Sequence, residues 1–105
     1  MKKLSILAAA LIAGTALTAQ AGPAEDAMTK GGCMACHTKD KKLVGPAFKD
    51  IAAKYKGQGD VVAKLSEKVR KGGSGVWGPI PMSPNGPDKI SDADLKLAIE
   101  AILKS

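Results

Sequence analysis

Both cysteines of this chain and its only histidine fall in one short run, Cys33-Met34-Ala35-Cys36-His37. Three chemistries compete for such a cluster. Cys33 and Cys36 could form the redox disulfide of a thioredoxin-like protein, which needs the motif between a strand and a helix of a βαβ unit. They could hold a structural zinc, but two thiols and one imidazole are one ligand short of a closed tetrahedral site. In the third chemistry each thiol adds across a haem vinyl group to form a thioether, which is what Cys-x-x-Cys-His signals in c-type attachment. His37 is then held beneath the iron, where its imidazole serves as the proximal ligand. The third chemistry makes demands on the rest of the chain: an export signal, few other bulky side chains and a plausible sixth ligand.

The start of the chain meets the first demand. Lys2 and Lys3 form a basic segment, Leu4 to Leu17 is apolar, and Ala19-Gln20-Ala21 is a small-residue cleavage site. A membrane span needs about 20 apolar residues, and this run is shorter. No cysteine follows the cleavage site directly, which argues against a lipid anchor. Residues 1–21 therefore read as a cleaved secretory signal peptide and 22–105 as one domain, located in the bacterial periplasm, where c-type haem is attached. Losing Lys2 and Lys3 lowers the formal charge from +6 to +4. That mild excess suits loose attraction to acidic partner proteins and gives no reason to expect nucleic-acid binding.

Composition meets the second demand. The 105 residues include one Phe, one Tyr and one Trp. A domain this small rarely holds itself together without a staple or a cofactor, and a haem would supply a large apolar body. The elements that must position the motif read as helices. Ala24 to Lys30 is a short helix with Glu25 and Asp26 in its first turn, ended by Gly31-Gly32. A second helix is expected from Pro46, with Phe48, Ile51, Ala52 and Tyr55 on one face. Asp60 is the expected N-cap of a third, with Val62, Leu65 and Val69 as its apolar stripe and Lys64, Glu67, Lys68 and Arg70 outside. Ser91 caps a fourth, flanked by the Ile90/Leu95 staple and followed by Ile99, Ile102 and Leu103. No segment reads as a strand, so the fold is all-α and the disulfide reading loses its context.

For the sixth ligand there is no second histidine. The choices are a methionine, a lysine, an amino terminus or nothing. Met1 leaves with the signal, Met34 lies between the cysteines, and Met28 falls in the helix before the motif. Met82 lies in Pro79-Ile80-Pro81-Met82-Ser83-Pro84, inside the aperiodic stretch from Ser74 to Lys89. Prolines restrict the neighbouring backbone to extended forms, and a long loop in a small domain is commonly functional.

Three stretches together resemble the small bacterial class I c-type cytochromes of the cytochrome c-551 kind: Gly32-Cys33-Met34-Ala35-Cys36-His37, the run from Leu43 to Ala52, and Gly75-Val76-Trp77-Gly78-Pro79-Ile80-Pro81-Met82. The resemblance implies four short helices wrapped around one covalently attached haem c, with Cys33 and Cys36 as thioethers and His37 and Met82 as axial iron ligands. It implies that the Pro46 carbonyl accepts a hydrogen bond from His37, that Trp77 donates to a haem propionate, and that Asn85 lies near the Met82 sulfur. It further implies a periplasmic one-electron carrier rather than an enzyme, a monomer with no membrane anchor. Its redox partners would be proteins such as a nitrite reductase, a terminal oxidase, a membrane cytochrome complex or a photosynthetic reaction centre. Where an arginine often helps to bind a propionate, this chain has Lys68. The electron is expected to cross at Met34, Ala35, Leu43, Val44, Ile80 and Pro84, rimmed by Lys39, Lys41, Lys42 and Lys49. Mass spectrometry of the exported protein should give the mass of residues 22–105 plus that of one haem, and an unmodified chain would remove the thioether reading.

Overall fold

The computed structural model describes residues 22–105; the expected signal peptide lies outside the described residues. Four helices occur in order, α1 (Pro23–Lys30), α2 (Phe48–Tyr55), α3 (Val61–Lys71) and α4 (Asp92–Leu103), with a 3₁₀ turn at Cys33–Ala35. The other three helices all pack on α4. Its start follows from its sequence. Ser91 is extended, and its Oγ accepts the Asp94 N–H at 3.2 Å. Asp92 and Asp94 lie in the first turn, where negative charge complements the helix dipole. Ile90 before the cap and Leu95 after it are both buried and close the entry as a staple. Ala98 and Ile99 follow on the same face, each 1% exposed.

Helix α1 begins at Pro23, one residue earlier than its periodicity indicates, because proline is well suited to a first turn. It buries Ala27 and Met28 against α4, which gives Met28 a packing role. Helix α2 begins at Phe48 and not at Pro46. Ala47 is its extended N-cap and offers no capping side chain. The free N–H groups of Phe48 and Lys49 instead donate to the carbonyls of Thr38 and Lys39, at 2.9 and 3.1 Å. The loop that follows His37 thus caps α2 with its own backbone.

Helix α3 has its expected N-cap residue but not the expected capping bond. Asp60 occupies the N-cap position with φ +56°, and its carboxylate makes no capping bond. Aspartate tolerates that left-handed conformation after the Gly57-Gln58-Gly59 turn, and its carbonyl accepts the Lys64 N–H at 3.0 Å. Val61, outside the expected stripe, is buried, while Val62, Leu65 and Val69 pack half-buried against the core. At the other end Arg70 turns inward, as described below.

Every buried side chain is apolar, and Ile99 is the one large residue that is fully enclosed among the described residues. Truncating it should leave a cavity at the point where the helices meet. Ile99→Ala should cost about 2–5 kcal/mol, seen as a lower guanidinium midpoint with an unchanged slope.

Candidate haem site

The 3₁₀ turn at Cys33–Ala35 brings the motif together. The Cys33 carbonyl accepts the N–H groups of Cys36 and His37, at 3.2 and 3.0 Å. No disulfide joins the two cysteines. Cys36 is exposed, and Cys33 is half-buried against the core. Burial pushes the Cys33 thiol above its ordinary value, opposed by a backbone hydrogen bond.

Three contacts orient His37. Its Nδ1 lies 2.7 Å from the Pro46 carbonyl oxygen. A carbonyl can only accept, so Nδ1 carries the proton and Nε2 keeps a free lone pair for a metal. The imidazole stacks on Phe48, with centroids 5.5 Å apart and planes inclined by 20°. Gly45 closes the remaining side. Its N–H donates to the Cys36 carbonyl at 2.7 Å, and a Cβ there would collide with Cε1 and Nδ1 of the imidazole. Leu43-Val44-Gly45-Pro46 is therefore a wall fitted to one side chain.

The second half of the site is the loop between α3 and α4. Met82 and Gly73 exchange both backbone hydrogen bonds, N–H to carbonyl at 2.9 Å in each direction. This is an isolated antiparallel pair and extends into no strand. It requires Gly72, whose φ is +66° and whose Cβ would collide with the Met82 carbonyl and the backbone of Ser83 and Pro84. Between the two partners the chain runs outward to a turn closed by Gly75 N–H and the Gly78 carbonyl at 2.9 Å. Trp77 lies on that turn, 40% exposed, with the Lys54 Nζ 5.3 Å from its ring centroid. The Lys68 ammonium lies beside Gly73.

Asn85 fastens the far side of Met82. Its backbone N–H donates to the Val69 carbonyl at 3.0 Å. Its side-chain Nδ2 donates to the carbonyls of Ser83 at 2.9 Å and Val69 at 3.4 Å. Sequence periodicity placed Arg70 on the outer face of α3. Its guanidinium instead reaches the Asn85 and Ile90 carbonyls and the Asp92 carboxylate. One signal was available beforehand. A loop rich in proline has more carbonyl acceptors than N–H donors, so a donor must come from elsewhere.

The large apolar side chains left exposed are Met34, Leu43, Val44, Val76, Trp77 and Ile80, with Leu97 on α4 as the outlier. The six belong to the motif turn, the wall beside His37 and the loop that ends at Met82. Two thiols, an imidazole with a free Nε2, a methionine whose backbone is pinned and these apolar groups fit a flat, apolar, metal-bearing ring with two vinyl groups. Among the described residues no three His, Cys, Asp or Glu side chains gather as ligands for a metal ion by themselves. Nor is any helix among them long and apolar enough to cross a membrane.

Comparison with known proteins gives the family and the fold. The family model for cytochrome c matches residues 19–103. Cytochrome c2 of Rubrivivax gelatinosus is 53% identical over 85 residues, covering 81% of this chain and 99% of that protein. Cytochrome c-551 of Pseudomonas aeruginosa is 42% identical, covering 98% of this chain and 97% of its own. The crystal structure of Nitrosomonas europaea cytochrome c552 superposes with a TM-score of 0.69 at 49% identity, over 75% of this chain and 95% of that one. The fit of Gly45 against His37 can be tested directly. Gly45→Ala should force the imidazole away from Pro46 and destabilise the haem-loaded protein by about 1–3 kcal/mol, measured by chemical unfolding.

Proposed function

The chain belongs to the cytochrome c family, and on that premise we propose that it is a periplasmic one-electron carrier whose iron sits between His37 and Met82. One haem c is attached covalently through the cysteine motif at 33 and 36, and the protein is an electron carrier, not an enzyme. The bound haem supplies a one-electron iron couple. The chain supplies placement, dryness and a way out for the electron.

Placement of the two axial ligands uses backbone on both sides. His37 presents Nε2 because Nδ1–H is taken by Pro46, with Phe48 and Gly45 against the ring. The observation that carries the second ligand is the double hydrogen bond between Met82 and Gly73. A thioether is a weak ligand, so fixing its backbone beforehand removes ordering cost from ligation. His37 and Met82 would hold the iron between them, which would leave no position for oxygen or peroxide, and His/Met ligation would raise the potential. The Trp77 indole N–H serves a haem propionate, with the Lys54 ammonium beside it. Asn85 acts next to the Met82 sulfur by holding the loop, since its amide donates to the Ser83 and Val69 carbonyls.

The electron crosses where Met34, Leu43, Val44 and Ile80 are 46–57% exposed, together with exposed Ala35 and Pro84. Lys39, Lys41, Lys42 and Lys49 rim this surface and are exposed. Weak redox encounters use small interfaces, and a basic rim steers acidic partners in a way that salt screens. Exchange of electrons with redox proteins follows from the family. A nitrite reductase, a terminal oxidase, a membrane cytochrome complex and a photosynthetic reaction centre are the candidate partners, and a respiratory partner is the reading we adopt. The periplasmic location rests on residues 2–21, read as an export signal; monomeric behaviour and no nucleic-acid contact complete the reading.

Met82→Ala tests the ligand assignment. It should remove the weak far-red absorption that marks methionine–iron ligation in the oxidised protein and let the reduced protein bind carbon monoxide. Retention of that absorption would exclude Met82 as the ligand.

A further inference from the structure

We propose that Arg70 is a positioning residue that locks the methionine loop onto α3 and so holds Met82 in its ligating place. This rests on the reading of Met82 as an axial ligand. Arg70 lies in the last turn of α3, with its side chain 19% exposed. Its Nη1 donates to the Asn85 carbonyl at 3.2 Å and the Ile90 carbonyl at 2.7 Å, and its Nη2 to Asp92 Oδ1 at 2.6 Å. The preceding residue, Val69, accepts the Asn85 N–H. Consecutive residues of α3 therefore grip both sides of Asn85, its N–H and its carbonyl.

The grip is complementary to the one at Gly73. Gly73 fixes Met82 itself, and Arg70 with Val69 fixes the chain three residues on. From Gly86 the loop makes only its own turn, in which the Gly86 carbonyl accepts the N–H groups of Lys89 and Ile90. The carbonyl at the end of that turn, on Ile90, is again held by Arg70. One guanidinium thus closes the whole return path from the methionine to α4.

The carbonyls carry more of this than the ion pair. Asp92 is 93% exposed, and exposed ion pairs contribute little. The bonds to Asn85 and Ile90 are charge-assisted and part-buried, and losing the donor strands both acceptors. Pro81, Pro84 and Pro87 offer no N–H to replace it. A lysine is a single point of charge and cannot span three acceptors in the fork that arginine presents.

The test uses the haem-loaded protein with Arg70→Met, which keeps the aliphatic stem and removes the donors. The expected result is that the far-red absorption of the oxidised protein is lost at lower denaturant than the helical circular dichroism. That gap should be absent from the unsubstituted protein and from Ile99→Ala, where both signals fall together. The fraction of reduced protein open to carbon monoxide should rise roughly tenfold, and the Asn85 amide should exchange its hydrogen faster. Arg70→Lys should open a smaller gap, and it carries the test if Arg70→Met does not fold. If neither variant separates the two transitions or changes carbon monoxide binding, Arg70 is a general stabiliser and the proposal is overturned. If the unsubstituted protein already lacks the far-red absorption, the ligand reading fails and takes this proposal with it.

Discussion

The backbone pair between Gly73 and Met82 is the constraint on which the distal half of the molecule depends. A loop containing Pro79, Pro81, Pro84 and Pro87 cannot enter a helix or a ladder, because each proline removes a donor. It needs an anchor from outside, and α3 must end where the anchor stands. That is why α3 stops at Lys71 and runs straight into Gly72, whose positive φ and missing side chain let the Met82 carbonyl approach. The proximal half obeys the same logic. Helix α2 starts late because Thr38 and Lys39 supply the acceptors for its first N–H groups, which leaves the Pro46 carbonyl free to meet His37. Both helix ends that border the site are set by what the site requires.

The hydrophobic core is correspondingly one-sided. Ala27, Met28, Phe48, Ile90, Leu95, Ala98 and Ile99 form a cluster around α4. Alanine and methionine make up part of it, and the residues that would thicken a core stand open on the loops: Leu43, Val76, Trp77 and Ile80. A chain of this size buries a smaller share of its surface than a larger domain does. Covering those side chains with an attached apolar ring would extend the core across the motif turn and the methionine loop together. Binding free energy then adds to folding free energy, and the loops hold the ring as much as the ring holds the loops.

How much of this could be read from the sequence depended on the range of the interactions. The four helices were legible because apolar spacing is local, and Ser91 with Ile90 and Leu95 marked the start of α4 residue by residue. The Cys33, Cys36 and His37 motif was legible because spacing dictates its chemistry; Met82 was singled out by its prolines, and its role as a ligand belongs to the proposed function. Asp60 was placed correctly as the N-cap of α3, but its carboxylate makes no capping bond, because that depends on a backbone conformation that the preceding glycine turn decides. Arg70 was misread because a helical face counts as outer only until another segment covers it. Gly45 and Gly72 carried no local sign of their roles. Each is small because a particular side chain or carbonyl arrives from elsewhere in the chain.

Charge shows the same division of labour over the whole surface. Of the fourteen basic residues in 22–105, ten lie between His37 and Lys71, against four acidic ones in that span. The rest of the domain is net acidic, with Glu25 and Asp26 in α1 and Asp92 and Asp94 in α4. Along the chain the charge is therefore unevenly spread as well as net positive. A net charge alone draws an acidic partner to any side, while an asymmetry turns the approaching molecule so that one side leads. On the proposed reading the leading side would be the one that holds the exposed Lys39, Lys41 and Lys42 around Leu43 and Val44. Apolar contact can then settle the final position without adding much affinity, because exposed charges contribute more to the rate of approach than to residence. A carrier that must leave after each electron needs that balance: fast arrival from charge, a small contact from apolar side chains, and no buried ion pair to hold it.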